Sequence, residues 1–444
     1  MNHTALDTEI TSIDQIKALK PELQRGPLWL REKRKCAAEL FNATPLPPRG
    51  LHLWRYTDPA MFLFDQTKVV DGSFASADSR IEQDELPNIA KGHISAVVHD
   101  LGGRDITVHL SNDIAKQDVV VTSLSQAVQT HPELVQKHLY SLVDESNGKF
   151  EAMNSALWND GIFIYLPRGV VIENPIHLFR RGGGAGSAQF PRLLVVADQG
   201  AEITVVDEYL GDGQGSQEDT AYFNGATEII AGNDSRVQYV LLQRQDEGAR
   251  SYHTYRALAG NNARVVTVML SLGASLSKQN CGVILGGPGA ESSMFGLLFG
   301  TGRQQFDSHT LHHHKSGNTR SDIDFKVVLG NRAMSAYTGL IRIDHDAACC
   351  EAYQENRNLL LNKGPRAETV PELEILNEEV SCSHGATVGP IDPEALFYLA
   401  ARGIARQEAV RMIVSGFVAS TLKQLPSDLR ERVSTIVQKR MEAI

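Results

Sequence analysis

The chain has 444 residues, 42% of them hydrophobic, and 53 acidic against 43 basic side chains give a formal charge of -10. Such a chain can bury a sizeable core, and its charge repels phosphate backbones; no basic stripe is interleaved with aromatics, so nucleic acid is not an expected partner. No apolar run reaches the ~20 residues that cross a bilayer. Asp7, Glu9, Asp14 and Glu22 stand where a signal peptide would be apolar and a transit peptide acid-poor. Five cysteines, of which only Cys349 and Cys350 are close together, make no disulfide framework. A reducing cytoplasm is therefore the expected location, with no membrane partner.

Up to about residue 155 the texture is mixed. Ile10, Ile13 and Ile16 fall at helical spacing, followed by Trp29, Leu30, Leu40 and Phe41, which predicts short helices. Thr44-Pro45-Leu46-Pro47-Pro48 breaks that pattern, because proline removes a backbone donor and clashes inside a helix. Trp54-Arg55-Tyr56-Thr57 follows, and residues 133 to 144 read as helix again.

From about Gly161 to Val388 short β-branched or apolar runs alternate with Gly, Asn and Asp. Leu194-Val195-Val196, Gln199-Gly200-Ala201 and Ile203-Thr204-Val205-Val206 form one such unit. Glu228-Ile229-Ile230 to Val237-Gln238-Tyr239-Val240 and Arg256-Ala257-Leu258 to Val265-Val266-Thr267-Val268 repeat it. Stacked units bury their inward side chains in one column, with Gly or Asn at the corners supplying positive φ. The expected fold is mainly β: a parallel β-helix, with a β-sandwich as the structural alternative. Helical regions at the two ends of the chain could cap the open sheet ends.

After Gly389-Pro390-Ile391 the pattern turns helical. Asp392 suits an N-cap, Pro393 the first helical position, and Arg402-Gly403 a helix end. Val410, Ile413, Val414, Phe417, Val418, Thr421, Leu422 and Leu425 form an apolar stripe. Ser427 can cap a last helix carrying Leu429, Val433, Ile436 and Val437. The predicted organisation is thus 1–155 mixed and partly helical, 156–389 β-helix core, and 390–444 helical. The stripes are expected to pack on each other and on the column, with a docking surface as an added possibility.

No G-x-x-x-x-G-K-[ST] loop occurs, and Gly182-Gly183-Gly184 and Gly211-Asp212-Gly213 lack the lysine and following helix of a phosphate cradle. The chain is not expected to bind nucleotide or hydrolyse ATP alone. With no C-x-x-C pair or compact His/Cys quartet, a structural zinc site is not expected either. His309, His312, His313 and His314 are the densest potential ligands, but a strand sends His312 and His314 to one face and His313 to the other. They read as turn or surface histidines in a loop, and Cys349 and Cys350 as packing. Cys382 and His384, two apart, share a strand face at the last turn of the column. Thiolate and imidazole suit iron-sulfur chemistry, with the remaining ligands from a partner or sulfide; an ordinary hydrogen-bonded histidine beside a buried cysteine is the other reading.

Lys149-Phe150-Glu151-Ala152-Met153-Asn154-Ser155-Ala156-Leu157-Trp158, with Gly161 to Val170 after it, resembles a signature shared by both branches of the SufB/SufD family of iron-sulfur cluster assembly proteins. Cys382-Ser383-His384-Gly385-Ala386-Thr387-Val388-Gly389, Leu396-Phe397-Tyr398-Leu399 and Arg402-Gly403-Ile404 resemble the SufD branch. SufB-like chains typically carry a sulfur-accepting cysteine after the Phe-Tyr pair, where this chain has Leu399. Trp54-Arg55-Tyr56-Thr57 is similar to an N-terminal signature of the SufD branch, so the resemblance spans about residues 50 to 420 and leaves the first fifty unassigned.

The resemblance implies a right-handed parallel β-helix and a scaffold with no catalytic residue of its own. It implies pairing with SufB and docking of the ATPase SufC on the C-terminal helices, here through Phe397, Tyr398, Arg402, Gly403 and Ile404. His384 matches a histidine facing the SufB acceptor cysteine, where it would transiently ligate the forming iron-sulfur cluster, and Cys382 matches a neighbouring cysteine. A reduced flavin is associated with the family's complex; this chain has no flavin motif. The alternatives are a SufB-like sulfur-accepting scaffold, a self-associating structural β-helix, homodimeric when isolated, or a carbohydrate-active β-helix enzyme. The last would need paired carboxylates on the column face.

Overall fold

A computed structural model describes residues 25–63, 93–102, 105–112, 114–182, 187–211 and 220–442. The helix expected around Ile10, Ile13 and Ile16 and most of the two glycine clusters lie outside these residues. The first described helix, α1 (Leu28–Ala43), buries Leu30, Ala37, Ala38 and Phe41 and ends just before the proline run. Three short helices follow: α2 (Leu124–Thr130), α3 (Pro132–His138) and α4 (Lys149–Leu157). The helix predicted for 133 to 144 stops early. Leu139 is extended and Tyr140 takes φ of 66°, a left-handed conformation that no helix continues. The break turns the N–H groups of Tyr140, Leu142 and Val143 onto the buried Glu228 carboxylate.

The first strands are β1 (Ala96–Leu101), β2 (Asp105–Leu110), β3 (Val120–Ser123), β4 (Gly161–Leu166), β5 (Ile176–Arg181), β6 (Ala188–Gln189), β7 (Arg192–Ala197), β8 (Glu202–Leu210), β9 (Ala221–Ala231) and β10 (Arg236–Arg244). They continue as β11 (Ala249–Ala259), β12 (Arg264–Ser271), β13 (Leu276–Leu285), β14 (Glu291–Gly300), β15 (Gln305–His314), β16 (Arg320–Leu329), β17 (Met334–Ile343), β18 (Cys350–Leu360), β19 (Arg366–Ile375) and β20 (Val380–Pro390). One sheet runs β2-β1-β5-β8-β10-β12-β14-β16-β18-β20 and the other β19-β17-β15-β13-β11-β9-β7-β4-β3. From β7 onward successive long strands alternate between the sheets and pair in parallel, each with the strand one coil away. This is a β-solenoid, not a sandwich; antiparallel β2 and β3 close its first coil.

Strand alternation explains the column. Ile203, Val205, Val237, Tyr239, Val265, Met294 and Ile323 point inward and form one buried cluster with their counterparts across the second sheet. Corners take positive φ at Gly200, Asp234, Asn262, Gly289 and Asn331, which Gly adopts freely and Asn or Asp tolerate.

The C-terminal helices are α5 (Pro393–Ala400), whose N-cap Asp392 accepts from Glu394 N, α6 (Arg406–Leu422) and α7 (Ser427–Glu442). Ser427 is the first residue of α7 and gives its hydroxyl to Asp428. The expected end cap is not where these helices lie. Val414, Val418, Leu422, Leu429 and Val433 pack against Val206, Val240, Val268, Leu297 and Val328, the outward side chains of the first sheet. Lys326 donating to Ser420, and Arg432 paired with Glu208, fasten them there. The outward face of that sheet is itself apolar, so it claims the stripes before the column end can. Among the described residues no strand lies beyond β19 or β20.

Candidate functional site

The register of β20 on β18 sets Cys382 beside Ala352 and His384 beside Gln354. Val380 and Cys382 pack against Ile341, Ile343, Cys350 and Ala352, so the even-numbered residues of β20 face the interior, and His384 shares that face. His384 is nevertheless exposed and Cys382 half-buried, since among the described residues no coil lies beyond them. Burial, with the Cys350 thiol nearby, pushes the Cys382 pKa up. At neutral pH it is a protonated thiol. A metal or a cation brought by another chain would be needed to make it the thiolate that binds iron.

Under this pair the column interior becomes polar. Gln354 and Asn356 are fully buried and Asn358 nearly so. Gln354 Nε2 donates to Gly339 O at 3.2 Å, Asn356 Nδ2 to Phe325 O at 3.2 Å, and Asn358 Nδ2 to Asn356 Oδ1 at 2.6 Å. A polar trio at period two in an otherwise apolar strand face is a signal visible in the sequence, though the motifs named above do not include it.

Backbone polarity distinguishes the two free edges. Arg366 N donates to Ala333 O and Leu376 N to Ile343 O, so even residues of β19 are turned toward β17. The odd ones, Ala367, Thr369, Pro371, Leu373 and Ile375, turn their backbone groups to the free edge, and Pro371 has no N–H to offer. Glu351 N donates to Thr319 O, which turns even residues of β18 and odd residues of β20 toward each other. Val380, Cys382, His384, Ala386 and Val388 therefore present an unbroken row of N–H groups along the free edge of β20.

His309, His312, His313 and His314 lie in β15 and not in a loop. His312 and His314 point into the column, where His312 Nε2 lies 3.0 Å from Ser292 Oγ and His314 lies 2.7 Å from Thr319 Oγ1 and 2.8 Å from Ser321 Oγ. Burial lowers their pKa values to about 3 and about 4. His313 faces outward, 2.9 Å from Asp344. Among the described residues no group of three or more His, Cys, Asp or Glu is arranged to hold a metal ion. Cys350 is buried packing, as expected, but Cys349 is exposed at a corner with φ of 58°; the left-handed turn there swings it out of the strand alternation. Trp54 is buried and stacks on Tyr252 at 5.6 Å, while Thr57 donates to Asp307, itself paired with Lys278 at 2.8 Å. That segment is a strap on the outer face of the second sheet.

Helix α5, which follows β20 after Ile391, buries none of its residues: Phe397 is 76% exposed and Tyr398 56%. The Arg402 guanidinium lies 4.1 Å from the Tyr398 ring centre, Gly403 takes φ of 78°, and Ile404 is half-buried. Leu399 occupies the same helix.

A parallel β-solenoid with an uncovered last coil, a thiol and imidazole on its inward face, and helices laid along one sheet defines the class of molecule. Residues 179–417 match the profile described as "SUF system FeS cluster assembly, SufBD core domain", and 23–178 match "SufBD protein N-terminal region". The chain belongs to the SufBD family of iron-sulfur cluster assembly proteins. The match begins at residue 23, well before the motif-based span. An "Iron-sulfur cluster assembly SufBD family protein" of Staphylococcus epidermidis is 26% identical over 435 residues, covering 97% of this chain and 92% of that protein. One from Staphylococcus aureus strain USA300 is 26% identical over 425 residues, covering 95% and 91%. Their names give the family and not a branch. Among the described residues no helix is long and apolar enough to cross a membrane.

Proposed function

We propose that this chain is the SufD-type, non-catalytic scaffold of a cytoplasmic SUF complex. On this reading it pairs with a SufB-type chain, docks a SufC-type ATPase, and presents His384 where an iron-sulfur cluster is built before being passed on. One contrast carries the reading. The position after Phe397-Tyr398 holds Leu399, which cannot accept sulfur, while the strand just before that helix ends the column with an uncovered imidazole and thiol. The cluster is cargo here. His384 supplies one ligand and Cys382 at most a second, so the other ligands come from sulfide and from the facing chain. A flavin would belong to the complex, since this chain carries no flavin or nucleotide motif.

The two free edges support pairing with another chain at this end, because unpaired backbone donors and acceptors are a template for strand addition. The bare aromatic face of α5 supports docking of the ATPase: Phe397 and Tyr398 are both exposed, and Tyr398 is met only along one face by Arg402. Self-pairing through the same edges is the second reading, favoured by their exposure. Co-expression with a SufB-type chain and a SufC-type ATPase, followed by size-exclusion chromatography, separates the two. Co-elution of all three supports the proposal; a persistent homodimer that excludes the SufB-type chain refutes it.

A further inference from the structure

The buried amide beneath His384 is only half satisfied. Gln354 is fully buried, its Nε2 donates to Gly339 O, and its Oε1 has no hydrogen-bond partner among the described residues. An unpaired buried carbonyl oxygen is costly, and such a group calls for an explanation. Column packing does not supply one. One coil back, the position in register with Gln354 is Ile323, fully buried and aliphatic. The amide also has a built seat: a Cβ on Gly339 would stand 2.4 Å from Gln354 Nε2 and 2.5 Å from the Tyr337 hydroxyl, so only glycine at 339 leaves room for it. One coil forward, the in-register neighbour on the same inward face is His384. The other orphaned amide oxygen of this floor, on Asn358, has Val388 as its neighbour, which offers it no side-chain donor.

We propose that Gln354 is a positioning residue for His384: its Oε1 accepts the N–H of one imidazole nitrogen, leaving the lone pair of the other directed out of the open end toward iron. A ligating histidine needs its second ring nitrogen held by an acceptor, which fixes both tautomer and ring orientation. Gln354 is the side chain the fold places to do this, anchored through Nε2 on the opposite sheet and therefore unable to swing away. The inference rests on the reading of His384 as an iron ligand for its purpose, but not for its geometry.

The test is a long-range proton–nitrogen spectrum of the full chain labelled with 15N-histidine, with the His384 signal assigned by loss in His384→Gln. The wild type is expected to show one dominant tautomer. Gln354→Met keeps length and removes both amide groups; it should populate both tautomers, since no acceptor then selects one ring nitrogen for the proton. Gln354→Glu, which keeps an acceptor oxygen, should restore the proton at that nitrogen. In the assembled complex, cluster formation by Gln354→Met should fall about tenfold, within the range seen when outer partners of metal ligands are lost, with melting and co-elution unchanged. A His384 signal identical in wild type and Gln354→Met overturns the proposal. If the tautomer depends on Gln354 while His384→Ala still builds clusters at the normal rate, the positioning stands and the iron-ligand reading falls.

Discussion

The pair Arg192–Glu228 fixes α4 to the column, and its disruption has a calculable cost. Both side chains are fully buried, 2.8 Å apart. One Glu228 oxygen accepts from Leu142 N at 2.9 Å and Val143 N at 3.1 Å; the other accepts from Tyr140 N at 3.0 Å and from Arg192. Arg192 in turn donates to Asn154 in α4 and to Val143 O. In Glu228→Gln the new NH2 must face two donors wherever it lies, and the buried guanidinium loses its counter-charge. Breaking one side of such a pair costs about 3–5 kcal/mol. The loss is local, so hydrogen exchange followed by mass spectrometry over residues 139–158 should quicken roughly a thousandfold, the factor that about 4 kcal/mol implies. Exchange in Arg192→Met/Glu228→Gln should recover part of the way, since no charge is then left buried. An increase below tenfold in the single variant would falsify the assignment of this pair as the anchor.

His384→Ala should melt within a few degrees of wild type, because loss of an exposed ring leaves Gln354 Oε1 within reach of water at the open end, and should co-elute with both partner chains while cluster absorbance fails to develop; Cys382→Ser should show a milder defect of the same kind. A His384→Ala complex that matures clusters normally would return this residue to an ordinary strand position. Phe397→Ala/Tyr398→Ala should abolish ATPase pull-down without changing the melt, as α5 buries nothing; undiminished capture would remove the docking assignment. Removing everything after Val388 is a poor test, since it would bare the apolar outer face of the first sheet and cause aggregation. Stability should fall on acidification from pH 6.5 toward 4. Burial holds His253 at about 4, His312 at about 3 and His314 at about 4, so the folded chain binds fewer protons than the unfolded one in that window. His312→Gln should flatten the dependence of the urea midpoint on pH; an unchanged slope would show that His312 does not remain neutral in the fold.

Much of the solenoid was legible because its signals are local. Val, Ile and Leu runs with period two mark inward and outward faces, and Gly or Asn at corners marks turns; the histidines at 309 to 314 lack such a run and read as a loop, although they continue a strand in which His312 and His314 share the inward face. What failed was non-local. The helix predicted through residue 144 ends at His138 because Glu228, far away in sequence, offers the freed N–H groups a better acceptor than a further turn of helix. The C-terminal stripes were legible as apolar, but their target was not, since both the column end and an outer sheet face could have received them. Val206, Val240 and Val268 decide it, and their outward direction follows only from the coil register. Cys382 and His384 could be placed on one face from spacing, whereas Gln354 beneath them could not, because that neighbour is set by the coil register and not by local spacing.

The two free edges at the open end are not equivalent, and the difference ties partner choice to the site. β19 presents Glu368, Glu372 and Glu374 on its outward face and has no donor at Pro371. Like charges and a missing N–H are both means by which edge strands resist adventitious pairing, and two copies meeting along β19 would oppose carboxylate to carboxylate. β20 carries no charged residue other than the ionisable His384, and its small Ser381, Ser383, Gly385 and Ala386 leave five consecutive free donors accessible. Strand addition along β20 is hydrogen-bonded residue by residue, and a slip of one residue would invert which side chains face the interior. On the proposed reading, the register that gives a partner chain its binding energy is therefore the same register that determines which of its side chains stands opposite His384.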